Sequence, residues 1–266
     1  MHFTAMINIF EYSFIIRGLE AGLIVAIIAP LVGIFLVLKR YSLIADTLAH
    51  VSFAGIAIGL LTGINPIFTA LGATIIAALG IEKLAKKVYG ESALAIFLSG
   101  GLALAVVILS FGRGFNANLF KYLFGSIATV TRQDIYIIMG LAVFTALILA
   151  VLYKKLVYIS FDQESAQVSG LKVEKINAVL IILSALVVSL AIPIVGVLLI
   201  SALVVIPVVS ALQLKKSFIH TLLYAELISV FSVISGIFVS FYLNLSAGGT
   251  IVLIMIAIFI SLSLKK

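Results

Sequence analysis

The stretch AVLIILSALVVSLAIPIVGVLLISALVVIPVVSAL, residues 178–212, decides the class of molecule. Its 35 residues include no charged side chain. As one helix it would be roughly 52 Å long at ~1.5 Å per residue, far more than a bilayer core of ~30 Å. Pro193 and Gly196 punctuate its middle, so it divides there into two apolar segments, with a re-entrant segment as the alternative. The same pattern repeats outward. Apolar segments run over about Arg17–Leu38, Leu43–Leu61, Pro66–Ile81, Ser92–Phe111, Ile135–Leu152, Ala178–Ile192, Gly196–Leu212, Ile219–Phe241 and Gly249–Leu264. Hydrophobic residues make up 64% of the 266-residue chain, and mean hydropathy is +1.37. Charged residues make up 10%, against about 25% in soluble domains. This composition excludes a soluble enzyme, a nucleic-acid binder and a disordered scaffold. Barrel strands alternate over ~10 residues, and these runs are about twice as long. The expected fold is all-α: a polytopic helical membrane protein with about 8–9 transmembrane helices, forming a single domain over residues 1–266.

The loop charges set an expected orientation. The net charge is +7. With the N-terminus outside, the inner loops hold Lys39, Arg40, Lys83, Lys86, Lys87, Lys154, Lys155, Lys172, Lys175, Lys215, Lys216, Lys265 and Lys266, which is 13 of the 17 basic residues. The outer side holds Arg17, Arg113, Lys121 and Arg132. Such asymmetry marks the cytoplasmic side. The first four residues carry no basic signal-peptide region, so the first apolar segment reads as a retained span. The absence of cysteine excludes thiolate metal sites.

Two ionisable residues sit inside the second apolar segment. Asp46 and His50 are four apart, on one helix face. Ionisable groups at membrane depth are costly and normally face a bundle interior or an aqueous path. A carboxylate and an imidazole also suit a divalent metal. Two ligands do not close a site, but a two-fold pair of chains would supply four. The plainer reading has Asp46 complementing the helix dipole and His50 bonding a neighbouring helix. Gly55, Gly59 and Gly63 follow at four-residue intervals, a small-residue stripe for close helix packing, about 140° around from His50 at ~100° per residue.

One inner segment is long, over about 153–176. Ser160 with Gln163 fits a capping box, Asp162 and Glu164 favour a helix start, and Gly170 a stop. A short helix is expected there, with Phe161, Ala166, Val168 and Leu171 as apolar contacts. It is either a surface loop helix or a docking element for a cytosolic partner. Glu20 and Glu226 read as snorkelling or locally bonded acids, and His220 as interfacial. The segment Asn116–Ser126 reads as an interfacial, amphipathic outer segment. The chain has no Walker A pattern, so ATP-driven action requires the ATPase on a separate polypeptide.

These stretches together resemble the permease subunits of zinc/manganese/iron ABC importers, the ABC-3 family. The run Lys39-Arg-Tyr-Ser-Leu-Ile-Ala-Asp46-Thr-Leu-Ala-His50-Val-Ser-Phe-Ala-Gly55 looks like that family's signature. Leu123–Ser126, Phe161-Asp-x-Glu-x-Ala166-x-x-x-Gly170, Val195–Pro207 and Ser246–Thr250 are similar to further family segments. Ser246-Ala-Gly-Gly departs from the frequent Ser-Pro-Gly. The resemblance implies the ABC importer permease fold and a homodimer in the bacterial plasma (inner) membrane, with the N-terminus outside and the C-terminus cytoplasmic. It implies cytosolic ABC ATPase subunits and an extracytoplasmic solute-binding protein as partners, no permanent cofactor, and no enzymatic activity in this chain. It maps a transient metal site onto Asp46 and His50, and ATPase coupling onto Phe161, Asp162, Glu164, Ala166 and Gly170. Val51-Ser-Phe-Ala-Gly55 looks closer to the zinc-type members than to the manganese type, so Zn2+ is the expected cargo, with Mn2+ or Fe2+ as alternatives. The competing class is a self-sufficient proton-coupled carrier using Asp46, Glu20 or Glu226.

Overall fold

The computed structural model describes residues 12–111, 122–126, 130–197 and 199–264. Its helices are α1 (Ser13–Leu38), α2 (Leu43–Thr62), α3 (Pro66–Leu84), α4 (Gly90–Ser110), α5 (Arg132–Phe161), α6 (Gln163–Val168), α7 (Val173–Val195), α8 (Ile200–Leu212), α9 (Phe218–Leu243) and α10 (Ala247–Leu264). No strand occurs among the described residues. Eight of these helices are long and apolar enough to cross a bilayer. The expected outer amphipathic segment is described only at 122–126, and the flanking charges Arg113, Lys121, Lys265 and Lys266 lie outside the described residues.

Local chemistry explains where the helices begin and end. Pro66 opens α3, where its missing N–H costs nothing, and the Asn65 side chain accepts from the Ile67 N–H at 2.9 Å. Thr131 and Asp134 form a reciprocal capping box on α5. Gly63 ends α2 at φ +74°, a left-handed cap that suits glycine.

The bundle has two ends, and contacts between distant segments define them. At the α6 end, Phe218 stacks near Phe35 (5.7 Å), Tyr153 (5.9 Å) and Phe161 (6.3 Å). Lys86 there reaches Glu174 at 2.6 Å. At the far end, Arg17 donates to the Val130 carbonyl at 2.8 Å, and Arg132 pairs with Glu20 at 2.8 Å. The Val197 N–H donates to the Tyr122 carbonyl at 2.9 Å. Gly196 therefore lies at the far end and Phe218 at the α6 end, so residues 197–217 return across the bundle. The expected division at Gly196 is present, but only Ile200–Leu212 of the expected 196–212 segment is helical. Its 13 residues make a helix of ~20 Å, shorter than a full span. Reversing direction after α7 takes up Gly196, Val197 and Leu199 as non-helical backbone. The described residues thus form eight full-length helices and one shorter crossing.

Close packing is concentrated at small residues. In lipid, helices gain little from hiding apolar faces, so association rests on van der Waals contact between closely approaching backbones. A Cβ at Gly55 would lie 2.6 Å from the Thr69 carbonyl oxygen, and one at Gly59 would lie 2.8 Å from Pro66 Cα. One at Gly101 would lie 2.9 Å from Val51 Cα, so α2 is flanked by α3 and α4 at backbone distance. Gly33 lets α1 approach the Val204 carbonyl of α8. Gly63 corrects the expected stripe: nothing lies within 4 Å of a Cβ there, and its role is the turn out of α2. Burial follows this packing. The span windows of α2 and α7 are 72% buried, that of α4 only 22%, so α2 runs through the protein's centre while α4 faces outward.

Candidate functional site

Asp46 lies in the first turn of α2 and His50 one turn further on. His50 Nε2 stands 3.8 Å from Asp46 Oδ1, beyond hydrogen-bonding distance. The His50 side chain is 15% exposed and that of Asp46 is 34%. His50 Nδ1 is buried with no hydrogen-bond partner among the described residues. The two side chains therefore share a face, converge without bonding each other, and open outward at the α6 end of the helix. The rest of α2 is committed: Thr47 Oγ1 reaches the Leu94 carbonyl at 3.4 Å, Val51 meets Gly101, and Gly55 and Gly59 meet α3. Among the described residues no group of three or more His, Cys, Asp or Glu side chains gathers to hold an ion. Asp46 and His50 thus stand as a pair with no third such group gathered beside them among the described residues.

The inner segment takes a different local form from the one expected. α5 does not stop near Leu152 but runs to Phe161, so Lys154 and Lys155 are helical. The cap of α6 is Asp162, not Ser160: its side chain accepts from the Ser165 N–H at 2.9 Å and from the Ser165 hydroxyl. Ser160 is still inside α5, where its hydroxyl is buried without a partner. Asp162 alone leaves helical geometry, at φ −148° and ψ 93°, and so both ends α5 and starts α6. The Ser165 side-chain and backbone hydrogen bonds hold the Asp162 carboxyl below its usual range. The cap is therefore complete at neutral pH and is lost only as pH falls through that depressed value.

Only one of the expected apolar contacts of α6 is fully buried. Ala166 is 0% exposed, whereas Phe161 and Val168 are largely exposed. Leu171 is half-buried against the core, and its N–H donates to the Ala166 carbonyl at 3.2 Å. Gly170 makes this return at φ +85°. α6 thus projects from the bundle with Glu164 and Val168 outward and Ala166 as its fixed base, and Phe161 is exposed at the end of α5.

Sequence reasoning missed two features. The first joins three segments at the far end. A Cβ at Gly196 would lie 2.5 Å from the Phe124 carbonyl carbon, and one at Gly248 would lie 2.9 Å from the Phe124 oxygen. Gly125 likewise abuts Val195, with 2.5 Å to its carbonyl carbon. These glycines fall within the three quoted segments 123–126, 195–207 and 246–250, and motif recurrence was the only available signal. The second is a polar contact at the α6 end, where Lys39 Nζ donates to Asn177 Oδ1. Burial pushes the Lys39 ammonium down to about 8. Of the expected acids, Glu20 is paired with Arg132, as a locally bonded residue. His220 bonds Ser217 at 2.7 Å.

An all-helical bundle spanning a membrane, with a polar pair in the first two turns of a buried helix and a short projecting helix at one end, has the architecture of a transporter permease. Residues 11–266 match the ABC 3 transport family, and the chain belongs to it. It is similar to a "Probable metal transport system membrane protein" of Treponema pallidum, with 36% identity over 250 residues, covering 93% of this chain and 94% of that one. It is also similar to the manganese transport system membrane protein MntC of Halalkalibacterium halodurans, at 30% identity, covering 95% of this chain and 87% of that one. Among solved structures it resembles PsaBC from Streptococcus pneumoniae in complex with Fab, with a TM-score of 0.87 and 26% identity, covering 96% of this chain and 92% of that one. The chain is a membrane permease of the metal ABC importer family.

Proposed function

We propose that this chain is the membrane subunit of an ATP-driven importer of a divalent transition metal, acting as a homodimer in a bacterial inner membrane. The observation that carries the reading is the Asp46–His50 pair: a carboxylate and an imidazole converging to 3.8 Å in the first two turns of a membrane-length helix, with one imidazole nitrogen buried and unpartnered among the described residues. Groups so placed cost free energy unless something charged visits them. Two such pairs facing across a two-fold axis give two oxygens and two nitrogens, enough for a transient tetrahedral stop. The ion must also leave, so a site split between two movable halves suits transport better than a closed cage.

The α6 end is the cytoplasmic one in this reading. It collects Lys39, Arg40, Lys83, Lys86, Lys87, Lys154, Lys155, Lys172, Lys175, Lys215 and Lys216, while Arg17 and Arg132 lie at the far end. α6 there meets a cytosolic ABC ATPase subunit, and the far end receives the ion from an extracytoplasmic solute-binding protein. Glu164 tests the docking role, because its substitution leaves the Asp162 cap intact. Glu164→Lys is expected to reduce co-purification of the ATPase subunit severalfold while the membrane protein itself keeps its yield. Unchanged co-purification removes α6 from the interface.

The cargo has two readings. The Val51–Gly55 run and the preference of imidazole for zinc favour Zn2+. The names of relatives such as MntC favour Mn2+. Reconstitution with the ATPase and binding protein, loaded in parallel with zinc, manganese and iron, is expected to show ATP-dependent uptake of one of them. Uptake by this chain alone, driven by a proton gradient, would instead make it a secondary carrier.

A further inference from the structure

We propose that Asn177, through Lys39, is a positioning residue that passes movement of α6 to the helix bearing Asp46 and His50. The proposal deepens the functional reading above and rests on it. Three observations carry it.

First, α6 and the start of α7 form one block. Ala166 is fully buried, Val173 is 5% exposed, and the Leu171 N–H returns to the Ala166 carbonyl. Asn177 lies one turn into α7, directly beyond that block.

Second, the Asn177 side chain holds the corner between α1 and α2. Lys39 caps α1, and its Nζ donates to Asn177 Oδ1 across 138 residues of sequence. The corner itself is tightly hydrogen-bonded. The Tyr41 N–H donates to the Leu36 carbonyl at 2.8 Å, and the Ile44 N–H to the Tyr41 carbonyl at 3.0 Å, with Arg40 at φ +59°. A pull on Lys39 therefore reaches the first turn of α2, where Asp46 sits, with little slack.

Third, the corner is not packed solid against α7. A cavity of about 420 Å3 lies beside the contact, bordered by Lys39, Leu43, Ile44, Leu94, Glu174 and Asn177 among others. A polar link across open space can shift, whereas close-packed apolar contacts resist deformation. The Lys86–Glu174 pair alongside is exposed on both partners, at 50% and 72%, and pairs of that kind contribute little. Lys39, by contrast, is a desolvated lysine whose hydrogen-bond partner is a neutral amide rather than a carboxylate. That arrangement costs stability and persists here at the corner where the coupling block meets the chain leading into the ion helix.

The test uses the full complex in proteoliposomes, with ATP hydrolysis and uptake of Mn2+ and Zn2+ measured on the same samples. Asn177→Leu keeps the side-chain size and removes the acceptor. It is expected to leave ATPase co-purification and hydrolysis within about twofold of wild type while ions moved per ATP fall at least tenfold. Asn177→Asp, which restores an acceptor for Lys39, is expected to recover most of that ratio. Lys39→Met provides a second route should Asn177→Leu fail to accumulate, with the same expected loss. The double variant is expected to be no worse than either single change, as for two groups acting through one contact. A wild-type ratio in Asn177→Leu or Lys39→Met overturns the proposal, as does a parallel loss of hydrolysis and uptake, which marks a merely structural contact. Absence of ATP-driven uptake by the wild-type complex overturns the functional reading itself, and this proposal with it.

Discussion

Asp46→Ala and His50→Ala are each expected to abolish metal uptake while the protein accumulates and assembles normally. The fold argument is direct. The Asp46 side chain makes no hydrogen bond among the described residues, and His50 Nε2 stands 3.8 Å from it. His50 Nδ1 has no partner to lose. Both changes keep the backbone-distance contacts of α2 with its neighbours, which run through Thr47, Val51, Gly55 and Gly59. The transport argument is equally direct. Removing outer-shell partners of a metal ligand costs ~10–100-fold, so removing a ligand costs at least that. In a homodimer one substitution removes two ligands at once. The measurement is ATP-dependent accumulation of Zn2+ and Mn2+ in proteoliposomes at matched protein content. Wild-type uptake by both single variants would mean that the pair only stabilises the helix start.

Gly196→Ala is expected to be the most damaging substitution to the fold. Its backbone sits at φ +87° and ψ 161°, a region essentially restricted to glycine, where another residue costs about 1–3 kcal/mol in strain alone. A Cβ would also press on the Phe124 carbonyl carbon at 2.5 Å, so strain and overlap add. The three segments meeting there are backbone against backbone, and no rotamer change relieves the clash. The expected result is loss of monodisperse protein in detergent, or a fall in melting temperature of many degrees. Gly140→Ala is the control: it lies on the exposed face of α5 with nothing within 4 Å of a Cβ, and should be neutral or mildly stabilising. Equal yields and melting temperatures for the two variants would contradict the packing described.

What was legible in the sequence was local. The uncharged run 178–212 established the membrane class, Gly196 marked its division while Pro193 fell inside α7, and the four-residue spacing put Asp46 and His50 on one face. Asp162 showed how local readings mislead between adjacent candidates. Ser160 fitted a capping pattern equally well, but α5 stays helical beyond the membrane-length stretch, and only Asp162 leaves it. Gly63 extended the Gly55–Gly59 rhythm by one step too many, because α2 had already ended. The illegible parts join residues far apart in the chain. Glu20 and Arg132 are separated by 112 positions, Lys39 and Asn177 by 138, and periodicity carries no information about such pairs.

The sparseness of the ion site has a consequence for inheritance. If two copies share the ion as proposed, each gene product would bring half of a coordination shell, and no third acid or imidazole stands by among the described residues to compensate. In a cell making intact and His50-deficient copies in equal amounts, random pairing would leave about a quarter of the assemblies whole. A defective allele would then act as a dominant poison of uptake, not as a silent recessive.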